Sequence, residues 1–298
     1  MDQSNMGEKH NRLASLICGI VTQSLIEEVN TTPKPGLVDL SNNGSHRDMT
    51  PETFYISAKA LELFWGRCFL TGGNCRGQKP AECFELLRRE GRYAEKIMLK
   101  ATNGVNTHKG AIFTIGTVCG AIGRLYEQGS LFWDPASIAK ECAGLCFSAV
   151  ENDFRSMATH DTISTTGERL YLDFGLRGIR GELADGLPGV TTVSLPCFEK
   201  ALTEGKNRND AGVYALIHLI ARGTDTNMIA RGGIEKAEKA SGKARKLCER
   251  EELSLADVKA LDRDFIQDNL SPGGCADLLA VTYFLHDWKT AIEKMMII

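Results

Sequence analysis

The sequence predicts an all-α protein, a single compact multi-helix domain with long functional loops between its helices. Three observations predict it. Apolar residues recur at helical spacing over most of the chain, alternating runs bounded by hairpin dipeptides are nearly absent, and no Pro/Ser-rich linker or internal repeat divides the sequence. Residues 1–10 read as a flexible N-terminus and 11–298 as the helical domain. A chain of 298 residues buries a core large enough to need no disulfide or structural metal. Its 43% hydrophobic and 24% charged residues are ordinary for a globular protein, which argues against disorder.

The elements follow in order. Leu13, Leu16, Ile17, Ile20, Val21 and Leu25 share one face of a first amphipathic helix. A second starts at Thr50-Pro51, where threonine caps free amides and proline occupies the first helical position, and carries Phe54, Ile56, Ala60, Leu61 and Phe64. Further helical patterns run over about 81–102, 110–127, 136–150, 209–221, 233–250, 254–269 and 275–294. Ser254 with Asp257 opens one of them in the manner of a capping box. Val190–Leu195 is the only tempting strand, and the charged run Glu235–Glu252 reads as a solvated helix face.

Composition narrows the function. A net charge of -3 and a pI near 6.1 exclude a nucleic-acid binder that works through bulk positive field, so a polyanion bound here must meet a local cluster of Lys and Arg. The ten cysteines contain no CxxC pair and fall largely in apolar stretches, which predicts reduced, buried thiols in a reducing compartment. The start Met1-Asp2-Gln3-Ser4-Asn5 lacks a basic region followed by an apolar core, and no segment has the length of a membrane span. A cytoplasmic protein that engages neither membrane nor nucleic acid is expected.

Five segments fit neither period and are dense in Gly, Asn, Pro and charge: 30–49, 104–110, 177–188, 223–233 and 269–277. The first holds Lys34 between Pro33 and Pro35, whose fixed φ makes the backbone stiff, and ends in His46-Arg47-Asp48-Met49. In the second, Asn106-Thr107-His108-Lys109-Gly110 precedes an apolar helix whose free amides and dipole suit a phosphate, in a spacing unlike a Walker A loop. The third places Arg177 and Arg180 near Glu182, and the fourth places Asp225-Thr226-Asn227 before Arg231-Gly232-Gly233. In the fifth, Ser271-Pro272-Gly273-Gly274 permits close backbone approach to an anion, with Asp277 in the first turn of the helix that follows. Each has a structural reading beside the functional one: a surface turn, an Asn/Thr cap, a surface ion pair, a cap with a glycine turn, a plain helix start. His218, alone on an apolar helix, reads as a core residue, whereas Glu28 closes the first helix where a carboxylate opposes the dipole.

Taken together the segments resemble the triphosphoribosyl-dephospho-CoA synthase family, which makes the prosthetic-group precursor for citrate lyase and malonate decarboxylase. The likeness rests on Pro33–Asp39, His46–Met49, Gly104–Gly110, Arg180-Gly181-Glu182, Asp225–Asn227 with Arg231–Gly233, and Asn269–Gly274 with Ala276–Leu279, in that order over about residues 12–286. Cys275 stands where the family pattern leads one to expect Ser, and Asp185–Pro188 differs in its hydrophobic residue. The resemblance implies an all-helical enzyme that uses ATP and 3'-dephospho-CoA as substrates with Mg²⁺, and a transient contact with the downstream acyl-carrier-protein transferase.

In that reaction a ribose hydroxyl of dephospho-CoA attacks C1' of the ATP ribose, adenine leaves, and the triphosphate is a handle. Lys34, Arg47, Lys109, Arg180 and Arg231 are the expected triphosphate cations, with Asn106, Ser271, Gly273 and Gly274 beside them. Asp48, Asp225 and Asp277, with Glu182 behind, are the expected Mg²⁺ ligands. Oxocarbenium character at C1' calls for a carboxylate, a proton donor and a base, for which Glu28, Asp39, His46 and His108 are the candidates. A Mg²⁺-dependent helical hydrolase of nucleotide or ADP-ribosyl linkages would use the same residues with water as nucleophile. A non-catalytic factor that assembles an acyl-carrier subunit would use the loops for docking.

Overall fold

The computed structural model, which describes residues 3–157 and 166–297, is built from helices without a single strand among the described residues. Helix α1 (Gln3–Asn30) begins within the 1–10 segment and leads into the long loop 31–50. Then come α2 (Pro51–Ala60), α3 (Glu62–Asn74), α4 (Pro80–Ala101), α5 (Lys109–Glu127) and α6 (Pro135–Met157). Helices α7 (Thr166–Phe174) and α8 (Gly178–Ala184) precede a π-helical turn, Val190–Ser194, that runs directly into α9 (Leu195–Thr203). Helices α10 (Arg208–Ala221), α11 (Thr226–Gly232), α12 (Ile234–Cys248), α13 (Leu255–Gln267) and α14 (Gly273–Ile297) complete the chain.

Local chemistry explains several starts. Thr50 caps α2 by accepting from the Thr53 amide, with Pro51 in the first turn, and Ser254 caps α13 by accepting from Ala256. Three expectations are corrected. The apolar run from Phe54 to Phe64 is broken at Leu61 into α2 and α3, and the segments 177–188 and 223–233 contain the short helices α8 and α11, the latter capped by Asp225. Val190–Leu195 is no strand, although β-branched residues favour extended backbone. Val190 and Ser194 are buried, Ser194 bonds Thr282 of α14 at 2.6 Å, and Pro196 suits the first turn of α9, so packing overrides local propensity.

Helix α5 is the axis of the core, apolar nearly all round and buried from Ala111 to Leu125 except at Phe113. It packs against α3, α4, α6 and α14, while α1 covers α3 and α14, and α10 lies between α9, α12 and α14. Trp65, Phe69, Phe84, Phe198, Phe265, Tyr283 and Trp288 are fully buried between these layers. Eight of the ten cysteines are buried and all ten are unpaired, as free-thiol usage predicted. Among the described residues no helix is long and apolar enough to cross a membrane.

Helices α3 and α5 touch backbone to backbone. A Cβ at Gly72 would lie 1.9 Å from the Gly120 carbonyl oxygen, and one at Gly123 would lie 1.9 Å from that of Phe69. Because main chain cannot yield as a flexible side chain does, Gly72→Ala or Gly123→Ala should lower stability by about 1–3 kcal/mol. The urea midpoint measures this, and unchanged midpoints in both variants would contradict the close approach.

Candidate active site

All five irregular segments contribute to the wall of one cavity of about 880 Å³. The floor begins at the C-terminal end of α1. There the Lys34 ammonium, taken wholly out of water, lies 2.5 Å from Glu28 Oε1, with side chains only 2% and 7% exposed. Burial pushes the Glu28 carboxyl up, and the Lys34 charge opposes that shift.

The loop that carries Lys34 is tied down by carboxylates and carbonyls. Asp39 accepts from the Lys34, Ser41 and Asn42 amides, while Asp262 of α13 accepts from the Gly36 amide and the Asn42 side chain. Gly36 has φ of 69°, and a Cβ there would lie 2.2 Å from the Leu270 carbonyl oxygen, so the loop can pass this point only as glycine. Ser45 Oγ donates to the Leu270 carbonyl at 2.6 Å, and His46 Nε2 is 2.8 Å from Ser271 Oγ. The Arg231 guanidinium donates to the Ser45 carbonyl and to both the backbone and side-chain oxygens of Asn269. These bonds join the first, fourth and fifth segments. Burial and the nearby Arg231 charge hold the His46 imidazole below its ordinary pKa.

Helix starts supply the rest of the wall. The N-terminal turns of α5 and α14 open onto the cavity, as do those of the short α8 and α11. The Lys109, Gly110, Gly273 and Gly274 amides have no partner among the described residues, which leaves donors and a positive dipole end facing the space. Asp225 brackets two of these helices: one oxygen accepts from Asn227 and Met228, the other from Cys275 at the start of α14. Asp277 accepts from the Ala111 amide and seats beside Gly110, where a Cβ would fall 1.8 Å from its Oδ2. No cation partners Asp277 among the described residues; burial, then the Glu28 and Asp225 carboxylates, push its pKa well above the usual range.

His108, at the start of α5, is the other buried titratable group. Burial, with the Lys34 charge second, lowers its pKa from 6.5 to about 3, so the imidazole is neutral in the fold. Its Nδ1 lies 2.7 Å from Ser57 Oγ of α2, and its Nε2 is buried without a partner among the described residues, in a residue that lines the cavity.

The cavity wall thus brings together Glu28, Lys34, His46, Asn106, His108, Lys109, Arg180, Glu182, Asp225, Arg231, Ser271, Gly273, Gly274 and Asp277. Three expected residues are elsewhere. Asp39 is buried beneath the loop as its amide acceptor, and Arg47 and Asp48 are exposed and off the wall, because their neighbour His46 alone of that triplet turns inward. Among the described residues no three His, Cys, Asp or Glu side chains gather as a metal cage. Glu182 is occupied by Arg222 at 3.1 Å and by the Gly189 amide. Lys109 reaches Glu95 at 3.4 Å but stays 57% exposed, while Arg180 has no acidic partner among the described residues. Sequence reasoning missed Arg222, which lines the wall from the end of α10, and Ser57 and Phe54 on α2. These sit in regular apolar helices and carry no local signal. His218 is half-buried and satisfied within its own helix, its Nδ1–H donating to the Tyr214 carbonyl.

The sequence pattern of the ATP:dephospho-CoA triphosphoribosyl transferase family matches residues 14–294. A probable 2-(5''-triphosphoribosyl)-3'-dephosphocoenzyme-A synthase of Photobacterium profundum is 40% identical over 287 residues, 95% of this chain and 90% of the relative. One of Vibrio cholerae is 36% identical over 95% of this chain and 91% of its own length. The 2-(5''-triphosphoribosyl)-3'-dephosphocoenzyme-A synthase of Pectobacterium atrosepticum is 39% identical over 91% and 88%. No solved structure matches the chain.

Two stability measurements check the charge arrangement. Lys34→Met leaves Glu28 buried without its partner and should cost about 3–5 kcal/mol, whereas adding Glu28→Gln should recover much of that loss. Equal midpoints for single and double variants would contradict the pair. An unfolded chain protonates His108 below its ordinary 6.5 but the fold does so only near 3, so this residue makes stability fall as pH drops through that window. His108→Gln should therefore flatten the decline in urea midpoint on acidification, and an unaltered slope would refute the buried neutral imidazole.

Proposed function

The chain belongs to the ATP:dephospho-CoA triphosphoribosyl transferase family, and on that footing we propose how its cleft moves the triphosphoribosyl group of ATP onto 3'-dephospho-CoA with release of adenine. The observation that carries the reading is the meeting of Lys109, Arg180, Arg231 and the starts of α5 and α14 on one cavity that also holds Glu28, His108 and Asp277. A triphosphate has several negative charges to satisfy. Each charge-assisted hydrogen bond contributes about 1.5–3 kcal/mol, so three side-chain cations and four free amides form a sufficient grip.

The group gripped by its phosphates presents its ribose to the remaining wall. Breaking the N-glycosidic bond builds positive charge at C1', which a neighbouring carboxylate stabilises, and the incoming hydroxyl must lose a proton. Glu28 is assigned both the electrostatic role and the base, since its raised pKa brings it closer to the proton affinity such a base needs. His108, neutral at the pH of the cell, serves as a hydrogen-bonding group and not as a cation. Ser271 and Asn106 add polar contacts beside the phosphates.

Mg²⁺ fits one carboxylate here. Asp277 is desolvated, faces two like charges and lacks a cation, and Mg²⁺ commonly takes one or two carboxylates together with substrate phosphate oxygens instead of a cage of protein ligands. Asp277 would hold it, with Asp225, whose charge also acts on Asp277, as a second carboxylate; Glu182, engaged by Arg222, and exposed Asp48 are set aside. When bound, the ion neutralises phosphate charge and orients the triphosphate. The product is assigned as prosthetic-group precursor for the acyl carrier protein of citrate lyase or malonate decarboxylase, handed to a downstream transferase. Ten unpaired thiols support a cytoplasmic setting.

Purified protein given ATP, Mg²⁺ and dephospho-CoA should release adenine and form a product heavier by one triphosphoribosyl unit. Adenine without that product would indicate hydrolysis, and unchanged ATP with tight carrier binding would indicate an assembly factor. Arg180→Ala and Lys109→Ala should each raise the KM for ATP roughly 10- to 100-fold. Asp277→Asn should abolish Mg²⁺-dependent turnover and Asp48→Asn should leave it intact; the reverse pattern would overturn the site assignment.

A further inference from the structure

A chain of hydroxyls runs behind the imidazole that faces the cleft. The Thr107 hydroxyl donates to Ser57 Oγ at 2.7 Å, and Ser57 Oγ lies 2.7 Å from His108 Nδ1. Ser57 is fully buried in α2, one turn after Phe54, whose ring meets the His108 ring edge-on with centroids 5.2 Å apart.

The direction of these bonds follows from counting protons. Thr107 uses its hydroxyl hydrogen on Ser57, and among the described residues the only acceptor bonded to Ser57 Oγ is His108 Nδ1. Were Nδ1 protonated instead, Ser57 would receive two donors, and its own hydrogen would be stranded in the interior at a cost of about 1–3 kcal/mol. The ring therefore accepts at Nδ1 and carries its proton at Nε2. That Nε2–H is buried and unpartnered among the described residues, on a side chain that lines the cleft. A buried donor with no protein acceptor is costly, and an acceptor atom of a bound ligand would satisfy it.

We propose that Ser57 is a positioning residue: relayed from Thr107, it fixes the tautomer in which His108 presents Nε2–H to a hydrogen-bond acceptor of the bound nucleotide. The inference rests on the transferase reading for the identity of the ligand but not for the tautomer, which belongs to the protein alone. The same device pre-orients catalytic imidazoles elsewhere, where loss of the orienting partner leaves the ring in place but in the wrong protonation pattern.

Nitrogen-15 spectra of histidine-labelled protein decide it, with the His108 pair assigned by its loss in His108→Gln. The wild type should show an unprotonated Nδ1 and a protonated Nε2, and ATP should move Nε2 while leaving Nδ1 nearly still. Ser57→Ala should populate the other tautomer, lose the bond to the bound nucleotide and raise the KM for ATP roughly 10-fold, with the Nε2 response to ATP weakened in parallel. Thr107→Val, nearer the surface, should give the same spectral change to a smaller extent and guards against a Ser57 variant that does not fold. A protonated Nδ1 in the wild type, an Nε2 that ignores ATP, or an unaltered tautomer in both variants would overturn the proposal. An unprotonated Nδ1 in a protein that transfers nothing would uphold the tautomer and sink the transferase reading instead.

Discussion

An ammonium group withdrawn from water can be kept only where a carboxylate answers it, and the Lys34–Glu28 pair is where this protein meets that condition. The pair fastens the loop 31–50 to the end of α1. From that anchor the loop reaches the other segments through short bonds: His46 to Ser271, the Ser45 carbonyl to Arg231, Gly36 and Asn42 to Asp262. Residues 186 to 226 positions apart in sequence thereby become neighbours. The same ammonium sets the electrostatics of its surroundings, since it opposes the upward shift at Glu28 and adds to the downward shift at His108. One desolvated charge thus helps fix the protonation of two groups on the cleft.

The cleft itself divides its charge between side chains and backbone. Lys109, Arg180 and Arg231 provide discrete cations, while the openings of α5 and α14 provide amides that cannot be protonated, screened by rotation or drawn away by a competing carboxylate. Arg231 is held by carbonyl oxygens instead of an acidic partner, so its position is fixed without its charge being cancelled. Arg222 shows the opposite arrangement, its charge balanced by Glu182. A neutral imidazole among these cations adds direction without adding charge.

Much of this was legible in the sequence, for definable reasons. The all-helical class and the long helices α4, α5, α10 and α14 are written as apolar periodicity, and the irregular segments between them announce themselves by glycine, proline and charge. Placement of individual side chains was legible only in part. His46, Arg47 and Asp48 are consecutive, yet only His46 lines the cleft, because adjacency in sequence does not fix which way each side chain turns. Asp39 was read as chemistry although its carboxylate is consumed by three amides of its own loop. Arg222 and Ser57 were invisible because their roles arise from residues forty and fifty-one positions away, at Glu182 and His108. The π-helical turn at Val190–Ser194 escaped because a β-branched run favours a strand until burial against α14 decides otherwise.

Gly110 and Asp277 meet so closely that the carboxylate occupies the space any side chain at 110 would need. A larger residue at 110 would have to push aside the carboxylate at 277, the group assigned to the metal, so the bare glycine is what lets that carboxylate stand against the start of α5.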